Sequence, residues 1–232
     1  DRDMLNQDLP PDMKNEIAGH KLPISISDSF ALGITKFLRN SADFLFKKRY
    51  GHRAVVLETV AAVPGMVAGV IHHLRSLRRM QDDNGLIREM LEEAENERMH
   101  LMTFIEIAQP SSFERFLIFL AQIGFGTFYT FLYIFFNRTA HRMIGYFEEE
   151  AVTSYTEYLE EIDKGEIENT PAPEIAINYW NLDKNASLRD VVIAVRVIFD
   201  ALDKVHLNQL EERHHKTRYL LLLQLYFLRL KM

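Results

Sequence analysis

A glutamate stands at position 97, where helical periodicity would place a leucine. The segment from Gly85 to Ala108 carries Ile87, Met90, Ala94, Glu97, Leu101, Phe104 and Ala108 at alternating three- and four-residue steps. That is the spacing of the stripe a helix turns toward a core. A carboxylate therefore lies midway along an apolar seam, and a buried ionised carboxylate without a partner is costly enough that it neutralises, pairs or binds a metal. His100 follows at i+3, on the same face and within reach of a shared ligand. Any fold for this chain has to bring something to Glu97 and His100.

The chain has 232 residues, 47% of them apolar, with ten glycines and seven prolines. That is ample for one sizeable core or a long helical bundle, and the prolines fall mostly where helices would start or stop. The expected class is all-α. A polar, proline-containing stretch, 1–27, reads as an extended arm ending at a Ser27-Asp28 helix start, and 28–232 as one helical domain. Helices are expected near 28–48, 52–79, 85–108, 112–136, 138–163 and 187–229, with 164–186 as a loop before the last.

Net charge is −6 and the basic residues cluster locally, at Lys47, Lys48, Arg49 and Arg53 and again at Arg75, Arg78 and Arg79, so nucleic-acid binding is not indicated. No cysteine occurs, which removes disulfides, thiolate metal sites and cysteine nucleophiles together. Any metal has to use oxygen and nitrogen ligands. The first residue is Asp1 and no targeting segment is recognisable, as expected of a mature or trimmed form. The stretch from Phe116 to Phe136 is the only one read as long and apolar enough to raise a membrane question. Contact with the membrane interface is the first reading, burial in the bundle the second and spanning the last.

Taken alone, Glu97-x-x-His100 is weak: with 20 glutamates and nine histidines, roughly one such spacing arises by chance. Two further glutamates strengthen it. Glu58 shares a stripe with Ala54, Val55, Ala61, Ala62 and Gly65, and Glu148 with Ile144, Ala151, Val152 and Tyr155. Either could tilt to solvent at a seam edge, but three such coincidences in one bundle are improbable. In the Glu148-Glu149-Glu150 run, successive residues are about 100° apart, so at least one turns inward and a solvated face accounts for the other two. The order Glu, Glu-x-x-His, Glu on successive helices is three-quarters of the carboxylate di-iron pattern, which needs a second Glu-x-x-His on the last helix. Such ligands suit iron or manganese and can hold two ions close enough for dioxygen chemistry. Tyr155, two turns after Glu148, is placed to supply an electron or proton, although a buried tyrosine is more often plain core.

Leu57-Glu58-Thr59, Asn96-Glu97-Arg98-Met99-His100-Leu101 and Glu148-Glu149-Glu150-Ala151 resemble the signature motifs of the alternative oxidase family, the cyanide-insensitive ubiquinol oxidases of mitochondria, and most closely its protist branch. The resemblance runs from about residue 28 to Arg196. It implies a ferritin-like four-helix di-iron bundle with two further helices forming an interfacial membrane face. The implied enzyme oxidises ubiquinol and reduces dioxygen to water at two carboxylate-bridged iron ions, without pumping protons. It also implies a homodimer held monotopically on the matrix side of the mitochondrial inner membrane. By resemblance Glu58, Glu97, His100 and Glu148 are iron ligands, Tyr155 the tyrosine beside the metals, and Trp180 its buried hydrogen-bonding neighbour. Arg53, Leu57, Glu150, Ala151 and Ser154 correspond to the quinol pocket, where an arginine can orient a quinone oxygen while the carboxylate accepts a proton. The absence of cysteine removes the thiol regulation of plant members.

The last motif departs from the pattern. Phe199 and Leu202 stand where the family's final Glu and His ligands belong. Two substitutes remain open: Asp203 with His206, about 6 Å further along a helix, or Glu212 with His215, about 20 Å further but truer to the motif. Depth favours the first pair, and nothing from 197 to 210 is a Gly or Pro that would break the helix. The alternatives to the oxidase are a non-catalytic membrane-associated bundle with an incomplete metal site, motivated by Phe199 and Leu202, and another ferritin-like di-iron oxidase.

Overall fold

The computed structural model describes residues 22–46 and 49–211, the stretch 201–211 by backbone alone. Its helices are α1 Ile26–Phe46, α2 Tyr50–Arg79, α3 Leu86–Ala108, α4 Ser112–Phe135, α5 Asn137–Asp163, α6 Glu174–Trp180 and α7 Leu188–Glu211. The only β pairing among the described residues is one isolated bridge between Pro171 and Ser187. The all-α expectation holds.

Local chemistry sets several boundaries. α1 starts at Ile26 rather than Asp28, because Ser25 and Asp28 form a reciprocal cap: the Asp28 N–H donates to Ser25 Oγ and the Ser25 N–H to Asp28 Oδ2, both at 3.2 Å. Ser111 and Glu114 cap α4 in the same way. The break at Asp82-Asp83-Asn84-Gly85 occurs as expected, with Asp83 Oδ2 accepting from the Ile87 N–H at 2.7 Å and Gly85 at φ 84°. The 164–186 stretch is not wholly a loop. Glu174–Trp180 forms α6, whose Ala176 and Trp180 are buried; packing decides here, in a segment whose flanking prolines and asparagines read locally as turn. α7 runs as one helix to Glu211, in keeping with its lack of helix breakers.

α2 packs chiefly on α3, and α5 on α7; α2 carries the buried Glu58, α3 Glu97, and α5 Glu148, Glu149 and Glu150. The α2–α3 crossing is close because Gly65 has no side chain: a Cβ there would lie 2.7 Å from the Met90 carbonyl oxygen and 3.2 Å from Ala94 Cβ. Glu58 lies two turns before Gly65, and Glu97 one turn after Ala94. The backbone approach that requires glycine thus brings the two carboxylates together. α1 lies along α5, where Ser27 Oγ and Thr139 Oγ1 are 2.7 Å apart, and α4 lies across α2 and α5.

α1 and α4 keep much of their apolar surface outside. Phe30, Phe37 and Phe44 recur every second turn along α1, and Phe113, Phe116, Phe119, Leu120 and Ile123 stand out on α4. Only 22% of the most apolar window of α4 is buried. A correction is needed for α2, which is also long and apolar enough to cross a membrane. Half of its window is buried in the bundle, however, around Glu58, so it is a core helix by placement.

Candidate metal and quinol site

α2 and α3 bring Glu58, Glu97 and His100 together. The three are 0–2% exposed, and each offers a ligand atom within 4.8 Å of the others. His100 Nδ1 lies 3.3 Å from Glu58 Oε2 and 3.4 Å from Glu97 Oε2. His100 Nε2 and Glu97 Oε2 nevertheless make no aligned hydrogen bond among the described residues. Two carboxylates and an imidazole with unsatisfied atoms, sealed from water, are the donor set of a hard or borderline divalent cation. The residues fit a metal ion.

Electrostatics fit the same conclusion. Burial pushes the Glu97 carboxyl up to about 8, opposed by His100 and reinforced by Glu58. Burial alone would lower His100, but the Glu97 and Glu58 carboxylates outweigh it and raise it to about 10. Without a metal the group therefore holds a proton near neutrality, and cation binding has to displace it. Tyr155 donates its hydroxyl to Glu58 Oε1. Burial, then Glu58, raises that phenol well above its ordinary range.

Glu148, on α5, is 3% exposed and lies outside the three-residue group, but lines the same cavity as Glu97. The expectation that a solvated face accounts for two of Glu148, Glu149 and Glu150 is corrected, since all three are buried. For Glu150 the reason is Arg39 on α1, which donates to both Glu150 and Glu157. Trp180 is buried as expected, but it stacks on His100, with ring centroids 5.5 Å apart, and its Nε1 has no hydrogen-bond partner among the described residues. Its contact with the site is a ring face rather than the expected hydrogen bond.

On the α7 side, Phe199 occupies the position read from the sequence as a lost ligand. It is buried, with its ring 5.6 Å from that of His100 and stacked on Tyr155 at 5.8 Å. The side chains of Leu202, Asp203 and His206 lie outside the described residues, as do Glu212 and His215 altogether.

A cavity of about 690 Å³ leads from the outer helices to this group. Phe30, Phe37 and Leu45 line its outer part; Glu97, Glu148 and Phe199 line its depth. Arg53, Leu57, Glu150, Ala151 and Ser154 all border it, so the residues expected to form the quinol pocket do converge. Arg53 donates to Ser154 Oγ and Asp43 Oδ1, each at 2.7 Å, and its guanidinium lies 4.5 Å from the centre of the Tyr50 ring. Arg39 and Asp43 also line the cavity and were missed from the sequence. Their signal was available: an i,i+4 charged pair on a helix whose other face is phenylalanine.

The family model described as Alternative oxidase matches residues 10–208. A protein named "Ubiquinol oxidase, mitochondrial" from Batrachochytrium dendrobatidis is 59% identical over 177 residues, 76% of this chain and 56% of that relative. "Ubiquinol oxidase 2, mitochondrial" of Nicotiana tabacum is 53% identical over 185 residues, 80% of this chain and 62% of its own length. "Ubiquinol oxidase 1c, mitochondrial" of Arabidopsis thaliana is 52% identical over 185 residues, with 80% and 56% covered. The chain spans little more than half the length of these relatives. With a buried Glu-x-x-His beside a second glutamate and a family match over most of its length, this chain belongs to the alternative oxidase family.

Proposed function

We propose that the chain works as a ubiquinol oxidase, oxidising ubiquinol and reducing dioxygen to water without proton pumping. The observation that carries this is the cavity: its outer part is apolar, its middle holds Arg53, Ser154 and the Arg39–Glu150 pair, and its depth reaches Glu97 and Glu148. An isoprenoid quinol has the same order of parts, an apolar tail and a polar head. Two iron ions, held by Glu58, Glu97, His100 and Glu148, would supply the one-electron steps that join two-electron quinol oxidation to four-electron dioxygen reduction.

The chain's own residues orient and relay. Arg53, held by Ser154 and Asp43, offers N–H groups to a quinol oxygen, and Glu150 is the proton acceptor once its pair with Arg39 opens. Leu57 and Ala151 shape the wall against the quinol ring. Glu58, Glu97, His100 and Glu148 are the proposed iron ligands; Tyr155 steadies Glu58, and Trp180 fixes the plane of His100. The phenylalanine faces of α1 and α4 suit insertion into one leaflet. Met66, Val70, Leu74 and Leu77 form a second exposed stripe on α2 that suits a homodimer contact. With relatives named mitochondrial, we place the protein monotopically on the matrix side of the inner membrane.

The pocket assignment is tested by ubiquinone formation in lipid vesicles after iron loading. Arg53→Leu should cut turnover at least about tenfold by removing the charged donor while leaving bound iron unchanged. Unaltered turnover would remove Arg53 from the pocket.

A further inference from the structure

Among the described residues, the metal group is furnished with donors from α2 and α3 and met by hydrocarbon from α7. Glu58, Glu97 and His100 supply three ligand atoms within 4.8 Å from α2 and α3. From α7, Phe199 places its ring 5.6 Å from His100 and against Tyr155, the residue that holds Glu58. It also borders the cavity beside Glu97 and Glu148. A phenyl ring has no lone pair for a hard cation, and an apolar wall makes an incompletely ligated ion costly to desolvate.

Resting on the metal-centre reading above, we infer that this chain takes up its metal ions in two unequal steps, and that Phe199 sets the difference. The first ion binds tightly to Glu58, Glu97 and His100. The second has Glu148 on the α5 side but meets a phenyl ring from α7 at position 199. Loss of a mere supporting partner commonly weakens a metal site by about 10- to 100-fold, so a phenyl ring instead of a donor at position 199 should separate the two steps by at least that much. A carboxylate at position 199 would face the same group from the same helix.

Titration of the purified full chain with manganese(II), followed by electron paramagnetic resonance and metal analysis, tests this without any turnover. The expected result is an isolated-ion spectrum through the first equivalent and spin-coupled pairs only in excess metal. Phe199→Glu should tighten the second step at least about tenfold and leave the first unchanged. Phe199→Leu, which removes the ring but adds no donor, should not. Two ions bound with equal affinity by the unmodified chain would overturn the inference, as would failure to bind a first ion. So would a Phe199→Glu chain of normal helical content whose second step is unmoved. The unmodified chain by itself distinguishes equal sites from unequal ones, so misfolding of a variant leaves the test intact. Absence of quinol oxidation would remove the oxidase reading and leave the two-step titration standing.

Discussion

Glu97 and His100 make the metal-free protein sensitive to pH, and the sign is fixed by the direction of both shifts. Glu97 goes from an ordinary 4.5 to about 8 through burial, so the folded chain keeps a proton that the unfolded chain has released. His100 goes from 6.5 to about 10 because its two carboxylates outweigh burial. Each raised group contributes stability that is present below its unfolded value and lost as pH rises through its folded value. Both act between about pH 6.5 and 8, so the thermal midpoint in chelator should fall across that window, and His100→Gln should flatten the fall. A midpoint that climbs from pH 6.5 to 8 would contradict the buried cluster. At this scale much was legible: a carboxylate in an apolar stripe announces itself whatever its partner, which is why Glu58, Glu97, His100 and Glu148 could be named. Burial of Glu150 could not, because periodicity reports the face of one helix and says nothing of Arg39 arriving from another.

Between elements, the α2–α3 crossing positions the site, and Gly65 is its narrowest point. A methyl group there meets the Met90 backbone oxygen at 2.7 Å, so Gly65→Ala should cost about 1–3 kcal/mol through overpacking. It should also weaken metal binding by parting Glu58 from Glu97. Gly69→Ala is the control. Its Cβ would make only ordinary side-chain contacts, 3.4 Å from Leu91 and 3.7 Å from Met90 Cβ, and replacing a mid-helix glycine stabilises by roughly 0.5–1 kcal/mol where there is room. Thermal denaturation of the two variants should therefore differ in sign; equal effects would show that the crossing is looser than described. Ser111→Ala, which removes the α4 cap, should cost about 1 kcal/mol. Helix identities were legible because the long helices carry clear periodicity and caps, whereas α6 was not: seven residues between Pro173 and Asn181 fold as helix because Trp180 packs against His100.

At the scale of the molecule, exposed apolar side chains among the described residues gather chiefly on the α1 and α4 faces and along the α2 stripe. The sequence reading singles out α4, yet α2 is no less apolar; hydropathy cannot tell the largely exposed helix α4 from the half-buried α2, because that distinction is one of packing. If α1 and α4 sit in one leaflet, Phe37→Glu with Phe116→Glu should abolish co-sedimentation with anionic vesicles while helical content is retained. Undiminished co-sedimentation would move the membrane contact elsewhere. The sharpest test of the oxidase reading is the ratio of ubiquinol oxidised to dioxygen consumed by iron-loaded protein in cyanide. A ubiquinol oxidase uses two quinols per dioxygen and releases no peroxide. No quinol-dependent uptake, one quinol per dioxygen with peroxide released, or uptake driven by ferrous iron alone would contradict it.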